Sequence, residues 1–256
     1  MTIPLVVGNW KMNGGLAACA DLAHATADLL SRQNSRAMVA LAPPFTALGS
    51  VKNILIASDI KLAAQNCHWE ESGAFTGEIS APMLRDIGCH FVIVGHSERR
   101  HQLYESDDMI ARKLMAALKH DLRPILCIGE TLSQRHRNET LKVIGAQLDA
   151  ALKGLAKGAI DKLEIAYEPV WAIGTGQNAT AEQIDQVHNS IREYLKNNFG
   201  SSAGESVRVL YGGSVKPDNA SMLARIATVN GLLVGGASLN AESFVKIVAS
   251  FSPTVN

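Results

Sequence analysis

The residues from Leu163 to Ala179, LEIAYEPVWAIGTGQNA, combine a carboxylate, a proline and a loop that is at once apolar and glycine-rich. Leu163, Ile165 and Tyr167 alternate as in a short strand. Glu168 stands where that strand must stop, because Pro169 cannot donate to a sheet ladder. The loop that follows (Pro169, Val170, Trp171, Ala172, Ile173, Gly174, Thr175, Gly176) carries bulky apolar side chains that gain from burial. Its glycine backbone can approach a ligand closely. This pattern predicts a lid, with Glu168 beneath it. A carboxylate shielded from water can act as a general base, its pKa raised by desolvation. A surface loop with a structural glutamate fits the same stretch.

Two more side chains could share that chemistry. Lys11 lies just past a short apolar run, flanked by Trp10 and Met12. A cation held there would attract an anionic substrate and offset a developing oxyanion. Taken alone, it reads more readily as a solvated lysine. His96 precedes Ser97 and Glu98, which look like the start of a helix. The positive end of a helix dipole disfavours imidazolium, so the ring would stay neutral and donate a hydrogen bond to a substrate oxygen. The remaining histidines show no metal-binding spacing, and no metal is expected. Gly212-Gly213-Ser214 and Gly235-Gly236 follow the last two apolar runs. Backbone N–H groups unobstructed by side chains can cradle a phosphate. Proton abstraction beside a carbonyl of a phosphorylated small molecule suits this inventory.

These residues need a scaffold that gathers them from the whole chain. Apolar or β-branched runs predict strands over Leu5–Gly8, Ala37–Ala42, Ile60–Gln65, Phe91–Gly95, Pro124–Gly129, Leu163–Tyr167, Val207–Tyr211 and Gly231–Val234. Amphipathic stretches predict helices over Leu16–Arg32, Ser106–His120, Thr140–Leu155, Thr180–Phe199, Pro217–Ala227 and Ala241–Phe251. Thr180-Ala-Glu-Gln183 looks like a capped helix start, and Pro217 suits a first helical turn. The strands read as continuously apolar, as in a parallel sheet buried on both faces. Eight such units, with no composition break or flexible linker, predict a single α/β domain, a (β/α)8 barrel spanning residues 1–256. The competing arrangement is an open doubly wound sheet. Against it, no strand is followed by the three-glycine dinucleotide fingerprint or by a Walker lysine. In a barrel, the C-terminal strand ends carry the active site. Asn9, Lys11, Gln65, Asn66, His96, Glu130 and Glu168 all fall at those ends.

Composition removes other classes. Of the 256 residues, 47% are hydrophobic, enough for a large core, and Lys+Arg balances Asp+Glu at 24 each. The chain therefore has no net field for nucleic acid or an anionic membrane. No apolar run approaches a membrane span, and the N-terminus lacks the pattern of a signal peptide. Cys19, Cys67, Cys89 and Cys127 show no paired spacing, which predicts reduced thiols and a cytoplasmic protein.

Eight segments, in order, resemble the triosephosphate isomerase family over essentially the whole chain. They are Gly8-Asn-Trp-Lys-Met-Asn13, Ala64-Gln-Asn66, Gly73-Ala-Phe-Thr-Gly-Glu78, Val94-Gly-His-Ser-Glu-Arg-Arg100, Cys127-Ile-Gly-Glu130, Ala166-Tyr-Glu-Pro-Val-Trp-Ala-Ile-Gly-Thr-Gly176, Tyr211-Gly-Gly-Ser-Val215 and Leu233-Val-Gly-Gly-Ala-Ser238. The resemblance implies cofactor-free interconversion of dihydroxyacetone phosphate and D-glyceraldehyde 3-phosphate, a step of glycolysis and gluconeogenesis. This family is also a standard worked case of pKa tuning and loop closure. It implies that Glu168 shuttles the proton, that His96 polarises the carbonyl, and that Lys11 and Asn9 bind substrate oxygens. Gly174, Ser214, Gly235 and Gly236 would hold the phosphate. Glu98 would sit beside Lys11 and His96, Cys127 would pack beneath Glu168, and Ser97 would meet Glu168 when the lid is open. A homodimer is implied, with Phe75 and Thr76 entering the partner near its Met12. One departure is visible at Gln177, where many relatives carry lysine, so lid kinetics are open. A retained barrel that serves as an inert scaffold is the alternative, and it predicts no turnover.

Overall fold

The computed structural model describes residues 2–33, 35–174 and 177–252. Thr175 and Gly176 of the expected lid thus lie outside the described residues. Eight parallel strands close into a barrel in sequence order. They are β1 (Leu5–Asn9), β2 (Met38–Ala42), β3 (Lys61–Ala64), β4 (Phe91–Val94), β5 (Arg123–Ile128), β6 (Glu164–Tyr167), β7 (Arg208–Tyr211) and β8 (Gly231–Val234). The register is continuous around the ring, with Val7 opposite Ala40 of β2 and Leu233 of β8. The open sheet is excluded by this closure of β8 onto β1.

Side chains alternate along each strand, so each strand supplies two cores. Val7, Ala40, Ala63, Ile93, Ile125, Ala166 and Leu210 fill the inside of the barrel. Val6, Leu41, Leu62, Val92, Leu126, Ile165 and Val209 belong to the larger core that also takes in the helices. Those helices are α1 (Leu16–Ser31), α2 (Leu48–Leu55), α3 (Ala81–Asp86), α4 (Ser97–Gln102), α5 (Asp107–Lys119), α6 (Leu132–His136), α7 (Thr140–Ala151), α8 (Ala181–Phe199), α9 (Ser201–Ser206), α10 (Pro217–Ala224) and α11 (Ala241–Ala249). Thr180 and Gln183 form a reciprocal cap at the start of α8, so the loop expected as a lid runs into a fixed helix start. Among the described residues, no helix is long and apolar enough to cross a membrane.

The strands are not apolar throughout. Arg123, Glu164 and Arg208 occupy the N-terminal end of the barrel, where Glu164 Oε1 lies 2.7 Å from both guanidinium groups. Burial pushes the Glu164 carboxyl up, and the two arginines only partly counter it. Lys113 likewise is no surface charge on α5. It is buried and paired with Glu105, and its Nζ donates to Asn66 Oδ1 at 2.9 Å. An isolated buried charge is costly, whereas a paired one is tolerated.

Candidate active site

The first strand ends in a constrained turn. Asn9 closes β1, and two residues later Lys11 has φ 52°, a left-handed conformation that a side chain disfavours. Its neighbours hold it there. The Lys11 backbone N–H donates to Asn9 Oδ1 at 3.0 Å, and Gln65 Nε2 donates to the Lys11 carbonyl at 2.8 Å. Gln65 also donates to the Ala42 carbonyl, which ties this turn to the end of β2. The Lys11 ammonium lies 2.5 Å from Glu98 Oε1. The sequence placed Gln65 at a strand end without a role. Its two carbonyl partners become visible only when three strand ends meet.

Glu168 and His96 face each other across the mouth of the barrel. His96 caps α4, and its Nδ1 accepts the Glu98 backbone N–H at 3.2 Å. The ring proton of the neutral form therefore sits on Nε2. That Nε2 is 3.0 Å from Glu168 Oε1, and the Ser97 N–H donates to Glu168 Oε2 at 2.9 Å. The Glu168 backbone is fixed by its N–H to the Ile128 carbonyl at 2.8 Å. Two glycines make room for this residue. A Cβ on Gly129 would lie 1.8 Å from the Glu168 carbonyl oxygen, and one on Gly212 would lie 2.9 Å from Glu168 Cγ.

The charge state departs from the expectation of a raised carboxylate. Burial pushes the Glu168 carboxyl up, but His96, the Ser97 N–H and Lys11 outweigh it and hold it below the ordinary value. For His96, burial pushes the imidazole down and the Glu168 carboxylate pushes it up, with the rise prevailing. Both shifts belong to the contact between the two groups. Once Glu168 leaves the ring, burial and Lys11 favour the neutral imidazole, the Glu98 carboxylate opposes them, and the Nδ1 lone pair stays engaged by the Glu98 backbone N–H. The helix start thus acts on His96 through one backbone N–H rather than through its dipole alone. Cys127 is buried beside Glu168, and burial raises its thiol well above the usual range. It is a small packing group there rather than a nucleophile.

The loop expected to act as a lid begins in an anchored turn. Val170–Ala172 form a short 3-10 turn after Pro169, and Ala172 is buried. Trp171 Nε1 donates to Glu130 Oε1 at 2.9 Å. Glu130 is fully buried, accepts from Tyr167 Oη at 3.2 Å, and pairs with Arg135 Nη1 at 3.2 Å. The Arg135 guanidinium also stacks 4.7 Å over the Trp171 ring. Glu130 was only a polar strand end in the sequence; here it is the post to which the lid tryptophan is tied. At the far hinge, the Tyr211 hydroxyl bonds the Ala179 backbone.

Asn9, Lys11, His96, Glu168, Gly174, Ser214, Gly235 and Gly236 line one cleft of about 440 Å³ at the C-terminal ends of the strands. Ser97, Glu98 and Cys127 stand behind it, touching Glu168, Lys11 or His96. Met12, Phe75 and Thr76 lie away from it on exposed loops, Met12 with 95% of its surface and Phe75 with 41% open. No group of three or more His, Cys, Asp or Glu among the described residues could hold a metal.

A carboxylate, an imidazole donor and an ammonium around a glycine-walled cleft are the parts of an isomerase without a nucleophile. A family model described as triosephosphate isomerase matches residues 4–251. The chain belongs to the triosephosphate isomerase family. It is 46% identical to the triosephosphate isomerase of Caldanaerobacter subterraneus subsp. tengcongensis, over 97% of this chain and 99% of that one. It is 48% identical to that of Syntrophotalea carbinolica, over 97% and 98%. The crystal structure of triosephosphate isomerase from Bartonella henselae superposes with a TM-score of 0.88 at 40% identity, covering 97% of this chain and 99% of that one. Membership in the triosephosphate isomerase family makes the chain an enzyme, an isomerase, and nothing favours an inert scaffold.

Proposed function

We propose that this cleft interconverts dihydroxyacetone phosphate and D-glyceraldehyde 3-phosphate through an enediol(ate), with the residue roles that follow. The convergence of Glu168, His96 Nε2 and Lys11 on one glycine-walled cleft carries this reading. Backbone N–H groups at Gly174, Ser214, Gly235 and Gly236 grip the phosphate. Asn9 and Lys11 bind the oxygens at the reacting end. Glu168 leaves Ser97 and takes a proton from one substrate carbon. The electron pair moves onto the carbonyl oxygen, where the His96 Nε2–H bond and the Lys11 charge stabilise it. His96 transfers a proton between the two enediol(ate) oxygens, and protonated Glu168 returns its proton to the neighbouring carbon. The lid over the cleft excludes water and holds the intermediate against loss of phosphate.

The same reading makes the working form a homodimer in the cytoplasm. Phe75 and Thr76 sit on an exposed loop, where Phe75 leans on His68 with ring centroids 4.5 Å apart. That loop would insert beside the partner's exposed Met12. Free thiols at Cys19, Cys67, Cys89 and Cys127 suit a reducing compartment.

The test is turnover of glyceraldehyde 3-phosphate by the wild-type chain, coupled to a reporter dehydrogenase that consumes dihydroxyacetone phosphate. Rapid turnover without added cofactor is expected. A folded, dimeric preparation with no turnover would remove the reading.

A further inference from the structure

The cleft is lined by a second cation that the proposed chemistry has not used. Lys216 lies two residues beyond Ser214, at the phosphate end of the cleft. Its side chain is exposed, and it forms no ion pair among the described residues. Lys11 differs, since its ammonium is matched by Glu98.

The backbone beneath Lys216 is fixed. Asn219 Oδ1 accepts the Lys216 N–H at 2.9 Å, and Asn219 Nδ2 donates to the Ser214 carbonyl at 2.9 Å. Pro217 sets the first turn of α10 directly after it. Ser214 and Lys216 therefore belong to one braced turn. The Lys216 backbone is thus held at the cleft rim, and its exposed side chain extends from a fixed point.

Charge balance gives this lysine its use. The chain has a formal net charge of zero, so no global field draws an anion in. With His96 neutral, Glu168 leaves the cleft negative once Lys11 and Glu98 cancel. Among the described residues of the lining, Lys216 apart, a phosphorylated substrate would meet a carboxylate and no unpaired cation. Lys216 is the charge that reverses this.

We propose that Lys216 is a further substrate-binding residue of this site, drawing the substrate phosphate to the Ser214 and Gly236 backbone and steering its entry. This rests on the isomerase reading above. It assigns Lys216 an attraction to phosphate at the rim and no part in proton transfer.

The experiment compares wild type, Lys216→Gln and Lys216→Arg on glyceraldehyde 3-phosphate and on unphosphorylated D-glyceraldehyde. It does so at low ionic strength and at roughly 0.5 M salt, where exposed charges are screened. For Lys216→Gln at low salt, kcat/KM on the phosphorylated substrate should fall about three- to tenfold, mostly through KM. The loss should shrink at high salt, and the preference for the phosphorylated over the unphosphorylated substrate should fall by the same factor. Inorganic phosphate should inhibit the variant more weakly, and Lys216→Arg should restore all three readouts. An unchanged preference, or equal losses on both substrates at both salt levels, would overturn the proposal. Failure of the isomerase reading itself would show separately, as absence of turnover in the wild type.

Discussion

Glu168 is defined by what crowds it. Its carbonyl approaches Gly129 and its Cγ approaches Gly212 more closely than any Cβ would allow. Gly212→Ala should displace the carboxylate while leaving the phosphate end in place. An error of about 1 Å in a reacting group costs roughly a hundredfold. A fall in kcat of that order with KM little changed is expected from steady-state kinetics; a fall confined to KM would argue against this role for Gly212. The strand-end positions of Glu168, His96 and Lys11 were legible because each follows an apolar run that ends abruptly. The direction of the Glu168 shift was not. It depends on the Ser97 N–H and the His96 ring, which reach Glu168 only through the folding of β4 beside β5 and β6. Gln65 was illegible for the same reason, since its partners are carbonyls on other strands.

At the scale of the element, the proposed lid would be a lever tied at Glu130, through Trp171. Trp171→Phe removes the N–H bond to Glu130 and keeps the ring that stacks on Arg135. One such bond is worth about 0.5–1.5 kcal/mol net, so the anchored arrangement should weaken several-fold against closure. Inorganic phosphate, which the proposed lid would hold best when closed, should then inhibit the variant several-fold more strongly. An unchanged inhibition constant would show that Trp171 is not the anchor. Long elements with caps could be read from the sequence: α8 from Thr180 and Gln183, and α5 from its apolar stripe. The helix α2 could not, because it is short and offers only Leu48, Val51 and Leu55 as a buried face, with Gly49 inside it. The charged strand starts at Arg123, Glu164 and Arg208 also escaped, because their neutralisation requires three strands in register.

The whole molecule should be sensitive to acid through His188. It is fully buried on α8, its Nδ1 lies 3.2 Å from the Thr228 carbonyl, and burial pushes its pKa down to about 4. The unfolded chain binds a proton near pH 6.5 that the folded chain refuses until about pH 4. Folding stability is therefore lost as the pH falls through that window, by up to roughly 3 kcal/mol. Urea midpoints measured from pH 7 to 4.5 should fall less steeply for His188→Gln than for wild type; parallel slopes would exclude His188 as the source. Assembly works at the same scale. In the proposed dimer, separating the subunits would expose Phe75 and free the Met12 loop, whose neighbour Lys11 is held in a strained conformation. Dilution below the dissociation constant should lower kcat, and sedimentation at matched concentrations would reveal whether activity follows the dimer. Full activity in a stable monomer would contradict that coupling.

The central claim, that Glu168 moves the proton, is tested most directly by turnover of glyceraldehyde 3-phosphate in deuterated water by wild type and Glu168→Ala. A positioned general base contributes about 10²–10⁴-fold. Glu168→Ala should lose turnover in that range or beyond, with deuterium entering the product carbon only at the residual rate. A folded variant that keeps turnover and deuterium incorporation within about tenfold of wild type, below that range, would assign the proton transfer to another group.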